Sequence, residues 1–325
     1  MMGSVEIRTV YSGSTQIKAA LVSRLSCDRV GTRFITRGVD DEGHVANYVE
    51  TEQLLLTDTQ VASHVQVRGS IPLFWEQPGV NVGSHKVKLS RGDDLSKPAF
   101  EKHFSKMVGD YQDCVILNLV GINLVGSKEG EASISTSFQE QQKKSSFANL
   151  KHVLWDFHAE GGCKNLDKLW PKIDKEVEKY GYYSSANNAR QCGVVRTNCM
   201  DCLDRTNSAQ SYIGQKMLDK QLASLVSDVR DNAVRRLHDM YQQMWINNGN
   251  SLSNLYAGTG ALSQGGSKLL DGARSAARTI QNNLLDKDKQ EAFDVLVHGG
   301  GRISDFRDRA KLVLPEKFYY GIHIH

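Results

Sequence analysis

The stretch Arg196-Thr-Asn-Cys-Met-Asp-Cys-Leu-Asp-Arg-Thr-Asn207 follows a short apolar run at 193–195 and leads into a helix-forming run at 206–225. This order predicts a strand, a short loop and a helix in immediate succession. In an α/β fold, such a junction presents the N-terminus of the helix, with its partial positive charge, to a bound anion. We therefore expect an α/β fold with its functional centre at this junction.

Within this stretch, Cys199 and Arg205 are separated by five residues, and Thr206 follows. A loop of this length can curl so that its backbone N–H groups converge on one oxyanion. Arg205 can return to the loop and bind two phosphate oxygens with its fork of donors. The same positive groups would lower the pKa of Cys199 from the free value of about 8.5. The Cys199 thiolate could then attack phosphorus and form a phosphocysteine intermediate.

The remaining steps require proton transfer. Thr206 could donate a hydrogen bond to the sulfur as it leaves, and a carboxyl group must protonate the leaving oxygen and later activate water. Asp201 and Asp204 are the candidates for that carboxyl group, and their spacing leaves both open. The scheme requires no metal and no cofactor. The predicted phosphate-binding loop consists of Met200, Asp201, Cys202, Leu203, Asp204 and Arg205.

Other chemistries use parts of the same pattern. Cys199-Met-Asp-Cys202 is a C-x-x-C motif, which is found in zinc sites and in dithiol redox sites. The sequence has no second C-x-x-C for zinc, and no thioredoxin-like start for redox exchange. Protein tyrosine phosphatases share the Cys-x5-Arg chemistry, but the polar, acid-containing loop counts against that assignment.

Composition narrows the class of protein. The chain has 325 residues, of which 40% are hydrophobic and 24% charged, as in ordinary globular proteins. A formal net charge of +3 does not indicate a nucleic-acid partner. The six cysteines are scattered, and the N-terminus lacks the features of an export signal. We therefore expect a cytoplasmic protein with reduced thiols.

Outside the motif, the sequence alternates between strand-like and helical patterns. Pro98 is expected in the first turn of a helix. A hairpin-like turn is predicted at 37–43, flanked by 32–35 and 45–49. The predicted strands are 5–11, 65–71, 114–119 and 153–157, and the predicted helices are 98–108, 206–225 and 228–247, with a further candidate helix near 272–284.

A near-duplication lies in the middle of the chain. Asn118-Leu-Val-Gly121 is followed at once by Asn123-Leu-Val-Gly126. A strand cannot absorb five extra residues without a bulge or a change of register. We expect the extra copy to loop out beside a turn at 127–131.

At its full length, the stretch 196–207 resembles the signature of the Sac-domain phosphoinositide phosphatases, and other segments agree. The resemblance covers about residues 4–297, and its C-terminal part is similar to the synaptojanin branch of that family. The segments that carry it are Gly31-Thr-Arg-Phe34, Gly43-His-Val-Ala-Asn-Tyr-Val-Glu-Thr-Glu-Gln53, Arg68-Gly-Ser-Ile-Pro-Leu-Phe-Trp-Glu-Gln77, Tyr256-Ala-Gly-Thr-Gly-Ala-Leu262, Asp271-Gly-Ala-Arg-Ser275 and Thr279-Ile-Gln-Asn-Asn283.

The resemblance implies an α/β catalytic subdomain, with a mixed β-sheet flanked by helices. It implies metal-independent hydrolysis of phosphatidylinositol monophosphates, with the 4-phosphate favoured, then the 3-phosphate, and the 3,5-bisphosphate as a further candidate. Cys199 would be the nucleophile and Arg205 the phosphate clamp, and Asp204 is favoured over Asp201 because it adjoins Arg205. The partners would be phosphoinositide headgroups, and endocytic proteins that the sequence does not identify. The chain would contact endocytic or vesicle membranes peripherally from the cytoplasm.

The resemblance also implies a division of the chain. We expect a Sac-type phosphatase domain at 1–300 and a C-terminal tail at 301–325. Family members usually carry an N-terminal subdomain ahead of the catalytic one, and synaptojanins continue into an inositol 5-phosphatase domain. This chain therefore reads as the catalytic subdomain without either. The alternative function is a catalytically impaired lipid-binding or adaptor fragment.

Overall fold

The structure is a computed structural model that describes residues 2–33, 35–77, 87–121, 129–157, 159–198, 200–201, 203–261 and 286–298. Two predicted site residues, Cys199 and Cys202, lie outside the described residues. So do the candidate helix at 272–284, the second copy of the near-duplication at 123–126, and the predicted tail at 301–325.

The strands of the described residues are β1 Gly3–Ser12, β2 Thr15–Leu25, β3 Val49–Leu56, β4 Val61–Gly69, β5 Trp75–Glu76, β6 Lys88–Leu89, β7 Cys114–Asn118, β8 His152–Leu154, β9 Tyr183–Ser184 and β10 Val194–Asn198. Eight of them form a mixed sheet in the order β1-β2-β3-β4-β10-β7-β8, with β9 paired to β4. Strands β1 to β4 make an antiparallel meander, whereas β4, β10, β7 and β8 run parallel. Strands β5 and β6 pair separately.

Helices cover both faces of the parallel half of the sheet, which confirms the predicted α/β class with a mixed sheet. A 3₁₀ helix at Gly162–Lys168 precedes the third α-helix. The α-helices are α1 Asp93–Tyr111, α2 Glu129–Lys143, α3 Trp170–Tyr180, α4 Asp204–Leu225, α5 Asp231–Ala257 and α6 Asp286–His298.

The side chains of β7 show why two helical layers are needed. Successive side chains of a strand point to opposite faces of the sheet. All five residues of β7 are buried because helices cover both of these faces. Cys114 and Ile116 pack in one cluster with side chains of α1 and α2, whereas Val115 and Leu117 pack in another with side chains of α3 and α4. The helical partners are Phe100, Phe104, Ile134 and Phe138 on the first face, and Ile173, Val177, Ala209 and Ile213 on the second.

The antiparallel meander is covered by α5. Leu237, Tyr241 and Trp245 of this helix pack against Ile17 and Leu21 on the inner face of the meander. Helix α4 contributes to this cluster as well as to the cluster under β7, so it joins the two halves of the sheet.

Three local expectations require correction. Helix α1 begins at Asp93, so Pro98 lies inside the helix and not in its first turn. A proline there removes the hydrogen bond to the Asp94 carbonyl, and the buried aromatic face of the helix offsets that loss.

The turn predicted at 127–131 is wrong for 129–131, which belong to α2.

The segment before the predicted hairpin-like turn is irregular. The turn itself is confirmed, because the Gly43 N–H donates to the Asp40 carbonyl at 3.1 Å and Val39 bridges to Val45. The described residues of 32–35 form no strand. The Thr32 N–H instead donates to the Gln290 side chain of α6 at 2.8 Å.

His64, on β4, makes the stability of the fold depend on pH. Burial lowers the pKa of this imidazole from 6.5 to about 4. Between these values the unfolded chain binds a proton that the folded chain excludes, so stability falls as the pH falls. At pH 4, His64 therefore lowers the free energy of unfolding by about 3 kcal/mol relative to its value well above pH 6.5.

We expect His64→Gln to flatten the pH dependence of the urea-unfolding free energy between pH 4.5 and 6.5. An unchanged slope in a folded variant would contradict this assignment.

Candidate active site

The candidate site lies at the carboxyl-terminal edge of the parallel strands. Strands β4, β10, β7 and β8 end there at Gly69, Asn198, Asn118 and Leu154. In open α/β sheets, ligands bind at this edge. The strand–loop–helix order predicted for 196–207 is confirmed in its strand and its helix, because β10 ends at Asn198 and α4 begins at Asp204.

The end of β10 is polar and fully buried, as its central place in the sheet requires. The guanidinium of Arg196 donates to the Ser70 carbonyl at 2.8 Å and to the Gly69 carbonyl at 3.3 Å. It also contacts the Asn198 side chain, and its Nε donates to His103 Nε2 at 3.3 Å. Arg196 therefore ties the ends of β4 and β10 together beneath the predicted loop.

His103 completes this arrangement as a neutral imidazole. Burial, and then the charge of Arg196, lower the pKa of His103 well below its ordinary value. With Nε2 accepting from Arg196, Nδ1 carries the proton and donates to the Gly43 carbonyl at 2.9 Å. The imidazole thus joins α1, the turn at 40–43 and β10 by hydrogen bonds.

Asp201 is an anchor of the loop. Its two carboxylate oxygens accept from Arg33 and Arg37, each at 2.6 Å. Burial works to raise the pKa of Asp201, but the charges of Arg33 and Arg37 outweigh it and hold that pKa well below its usual range. Asp201 is therefore ionised at neutral pH.

Arg37 holds the main chain of the same loop. Its side chain is only 2% exposed, and Nη1 donates to the Met200 carbonyl at 3.0 Å. Nη2 donates to Gln77 at 2.7 Å. From the other side, the Asn47 amide donates to the Asp201 carbonyl at 3.1 Å. Residues 200–201 are thus fixed by the segment around Arg37 as well as by their own strand.

Sequence reasoning missed Arg33, Arg37 and Asn47 as functional residues. Arg33 and Asn47 lie in two of the segments that resemble the Sac pattern, Gly31-Thr-Arg-Phe34 and Gly43 to Gln53, and Arg37 opens the predicted turn. A polar or charged side chain in such a segment was the available signal for Arg33 and Asn47. Their partner, Asp201, is more than 150 residues away, and no local pattern points to it.

Arg205 is the predicted phosphate clamp, and its guanidinium lies against Glu131 in α2. Nη1 donates to Oε2 and Nη2 to Oε1 of this carboxylate, both at 3.1 Å. Nη1 also donates to the Leu119 carbonyl at 3.4 Å. Glu131 is a further residue of the candidate site that the sequence did not identify.

The other predicted residues fall on both sides of the helix start. Asp204 is the first residue of α4. Thr206 is fully buried, and its Oγ1 has no hydrogen-bond partner in the described part of the chain. Met200 and Leu203 are buried, and Leu203 packs on Tyr256 and Ala257 of α5.

The described residues contain no group of three His, Cys, Asp or Glu side chains arranged to hold a metal ion. In the same part of the chain, no helix combines the length and hydrophobicity needed to cross a bilayer.

Comparisons with known proteins identify a family model and several relatives of this chain. The family model of the SacI homology domain matches residues 1–162. Human Synaptojanin-1 is 49% identical over 321 residues, covering 97% of this chain and 20% of the relative. Inositol-1,4,5-trisphosphate 5-phosphatase 1 of Schizosaccharomyces pombe is 37% identical over 308 residues, covering 90% of this chain and 28% of the relative.

A third relative is Polyphosphatidylinositol phosphatase INP53 of Saccharomyces cerevisiae, 34% identical over 321 residues, covering 91% of this chain and 28% of the relative. The chain belongs to the SacI homology family. It spans between about a fifth and three tenths of the length of these relatives.

The Arg37–Asp201 pair should be a strong local contributor to stability. Replacing Arg37 by alanine leaves Asp201 with one of its two cationic partners and removes a buried hydrogen bond to the Met200 carbonyl. We expect Arg37→Ala to lower the urea-unfolding free energy by about 2 kcal/mol. Lys220→Ala is the matched control, since its ion pair with Glu178 lies at the surface and should contribute little. Equal losses in the two variants would contradict the anchoring role of Arg37.

Proposed function

We propose that this chain is a phosphoinositide phosphatase that hydrolyses phosphatidylinositol monophosphates through a phosphocysteine intermediate on Cys199. The observation that carries the proposal is the junction of β10 and α4. Asp201, Asp204, Arg205 and Thr206 belong to this junction at the carboxyl edge of the sheet, which supports them as the groups that act with the predicted nucleophile. The names of two relatives, which specify phosphatases of inositol phosphates or polyphosphatidylinositols, support the substrate class.

In the first step, the Cys199 thiolate attacks the phosphorus atom. The S–P bond forms as the bond between phosphorus and the inositol oxygen breaks, and Asp204 gives its proton to that oxygen. Arg205 binds non-bridging phosphate oxygens, and the N-terminus of α4 adds its positive dipole. In the second step, Asp204 takes a proton from water, the hydroxide attacks phosphorus, and the thiolate leaves as inorganic phosphate forms.

The environment of Asp201 supports Asp204 as the proton carrier. A general acid must hold a proton at the working pH. The low pKa of Asp201, set by Arg33 and Arg37, keeps that carboxylate ionised and bound to the loop's supports. Asp204 at the first turn of α4 then remains as the acid and base. The buried Thr206 Oγ1, with no hydrogen-bond partner among the described residues, is suited to donate to the leaving sulfur.

The family supports a proposal for the substrate and the setting. We infer that the 4-phosphate is preferred, that the 3-phosphate is also hydrolysed, and that the 3,5-bisphosphate is a further candidate. The scheme uses no metal and no cofactor. The enzyme would act from the cytoplasm on endocytic or vesicle membranes, with residues 1–300 as the phosphatase domain and 301–325 as a tail.

The proposal is tested with Cys199→Ser and a panel of short-chain phosphatidylinositol phosphates. Wild-type protein should release phosphate in the presence of a chelator and be inhibited by vanadate, and the variant should lose the activity. A phosphotyrosine peptide in the same assay addresses tyrosine phosphatase activity. Phosphate release that survives Cys199→Ser, or that requires magnesium, would overturn the mechanism.

The assignment of the proton carrier has its own test. Asp204→Asn should lower kcat for phosphatidylinositol 4-phosphate by about 10²–10⁴-fold, the range expected for loss of a general acid. The loss should be smaller with p-nitrophenyl phosphate, because its leaving group needs little protonation. Asp201→Asn is the comparison, and it should reduce stability and affect both substrates alike. If Asp201→Asn shows the leaving-group dependence instead, the two roles are exchanged.

A second candidate is a lipid-binding or adaptor fragment without catalysis. The observation that favours it is the row of exposed apolar side chains on β1, Val5, Ile7 and Tyr11. Surfaces of this kind often bind another macromolecule. Soluble expression, cooperative unfolding and phosphate release, measured on one preparation, separate the two candidates. A folded Cys199-containing protein without turnover would favour the adaptor.

A further inference from the structure

Two of the arginines at the candidate site come from a segment without regular structure. Arg33 and Arg37 lie in the arginine segment, which we define as residues 30–33 and 35–37, and these residues belong to no helix or strand. Within it, a turn closes on the Thr32 carbonyl. The other main-chain polar groups of such a segment need partners from elsewhere in the fold. The elements that supply those partners therefore determine where the two guanidinium groups lie.

Gln290 of α6 supplies one set of partners. Its Oε1 accepts the backbone N–H of Thr32 at 2.8 Å and the Thr36 hydroxyl at 3.3 Å. Its Nε2 donates to the Val30 carbonyl at 3.3 Å. The same Nε2 donates at 3.1 Å to Asp294, one turn further along α6, so the carboxylate fixes which end of the amide faces the Thr32 N–H. A single side chain thus binds both an N–H and a carbonyl of the arginine segment.

The arginine segment fits closely around this amide. Position 31 is a glycine, and a Cβ atom there would lie 2.5 Å from the Oε1 of Gln290 and 1.8 Å from the Oγ1 of Thr36. A larger residue at position 31 would therefore displace one or both of these groups. Thr32 is fully buried, so its N–H could not readily exchange Gln290 for water. Losing the amide would leave a buried donor without a partner.

The arginine segment passes this restraint on to the predicted phosphate-binding loop. Arg33 and Arg37 each donate to the Asp201 carboxylate at 2.6 Å. Arg37 also donates to the Met200 carbonyl at 3.0 Å. The Tyr256 carbonyl accepts the Arg33 N–H at 3.0 Å, so α5 holds the segment as well. Helix α6 is thus connected to the loop through two consecutive sets of hydrogen bonds, although it lies far from the loop in sequence.

We propose that Gln290 is a positioning residue for the phosphatase reaction. It holds the arginine segment so that the two arginines keep Asp201, and with it the phosphate-binding loop, in place. This role rests on the proposed phosphatase function, and it requires no contact between Gln290 and the substrate. A loop that is fixed in advance binds phosphate without first being ordered, and small displacements of its groups are costly. The opposing role is that Gln290 only docks α6 and leaves the loop unaffected.

Hydrogen exchange of the backbone amides, measured by mass spectrometry, separates these two roles. Gln290→Met keeps the size of the side chain and removes both polar atoms. It should speed exchange by about 10-fold in the arginine segment and also at 200–206, with no change in the β1–β2 hairpin. Leu296→Ala is the matched control on the same helix, because Leu296 is 54% exposed, and it should leave both segments unchanged. Exchange that rises in the arginine segment but not at 200–206 would overturn the inference.

Catalysis provides an independent measurement. Gln290→Met should lower kcat/KM for phosphatidylinositol 4-phosphate by about 10-fold, and by much less in an Asp201→Asn background, because both substitutions break the same path. An unchanged kcat/KM, or equal losses in the two backgrounds, contradicts the positioning role.

A conservative variant and the wild type complete the design. Gln290→Glu keeps the acceptor for the Thr32 N–H, so it should lose less activity, and it replaces Gln290→Met if that variant does not fold. If exchange at 200–206 responds to Gln290→Met but the wild type hydrolyses no lipid, the proposed function fails, and the role of Gln290 in holding the loop stands.

Discussion

The hydrogen bonds of the buried Arg196 are the interaction on which the candidate site depends. This guanidinium lies in the centre of the sheet, where a charge is costly unless every donor finds an acceptor. Its acceptors are the main-chain ends of β4, the Asn198 side chain and the His103 ring. Since these groups belong to the segments that surround the predicted loop, satisfying Arg196 also fixes where the loop starts.

A second pattern is the distribution of charge around that loop. Three arginines, Arg33, Arg37 and Arg205, lie close to the segment 200–206, and each has a carboxylate partner in Asp201 or Glu131. The carboxylates lessen the repulsion between the cations and hold their positions. The edge thus collects positive groups in fixed orientations, which is the requirement for stabilising a charge that develops during a reaction.

The sequence was informative where structure is set by neighbouring residues. The β10–α4 junction, the buried β7 and the amphipathic α5 follow from local periodicity, and they were predicted. Strand β2 was not, because its outward-facing Ala20 and Val22 are apolar and hide the alternation that marks a half-buried strand. The partners of Asp201 and Arg205 could not be predicted from the chain alone, because those contacts join residues far apart in sequence.

The position of β10 in the sheet has a consequence for how the protein acquires its site. Arg196 pairs with Val67 on one side and Ile116 on the other, so the central strand joins partners made much earlier in synthesis. Closing such long loops costs entropy before any contact repays it, and it slows folding. The antiparallel meander, whose strands are neighbours in the chain, can form first. The surroundings of the predicted nucleophile would then be assembled in the last stage of folding, so a partly folded chain would not yet contain the candidate site.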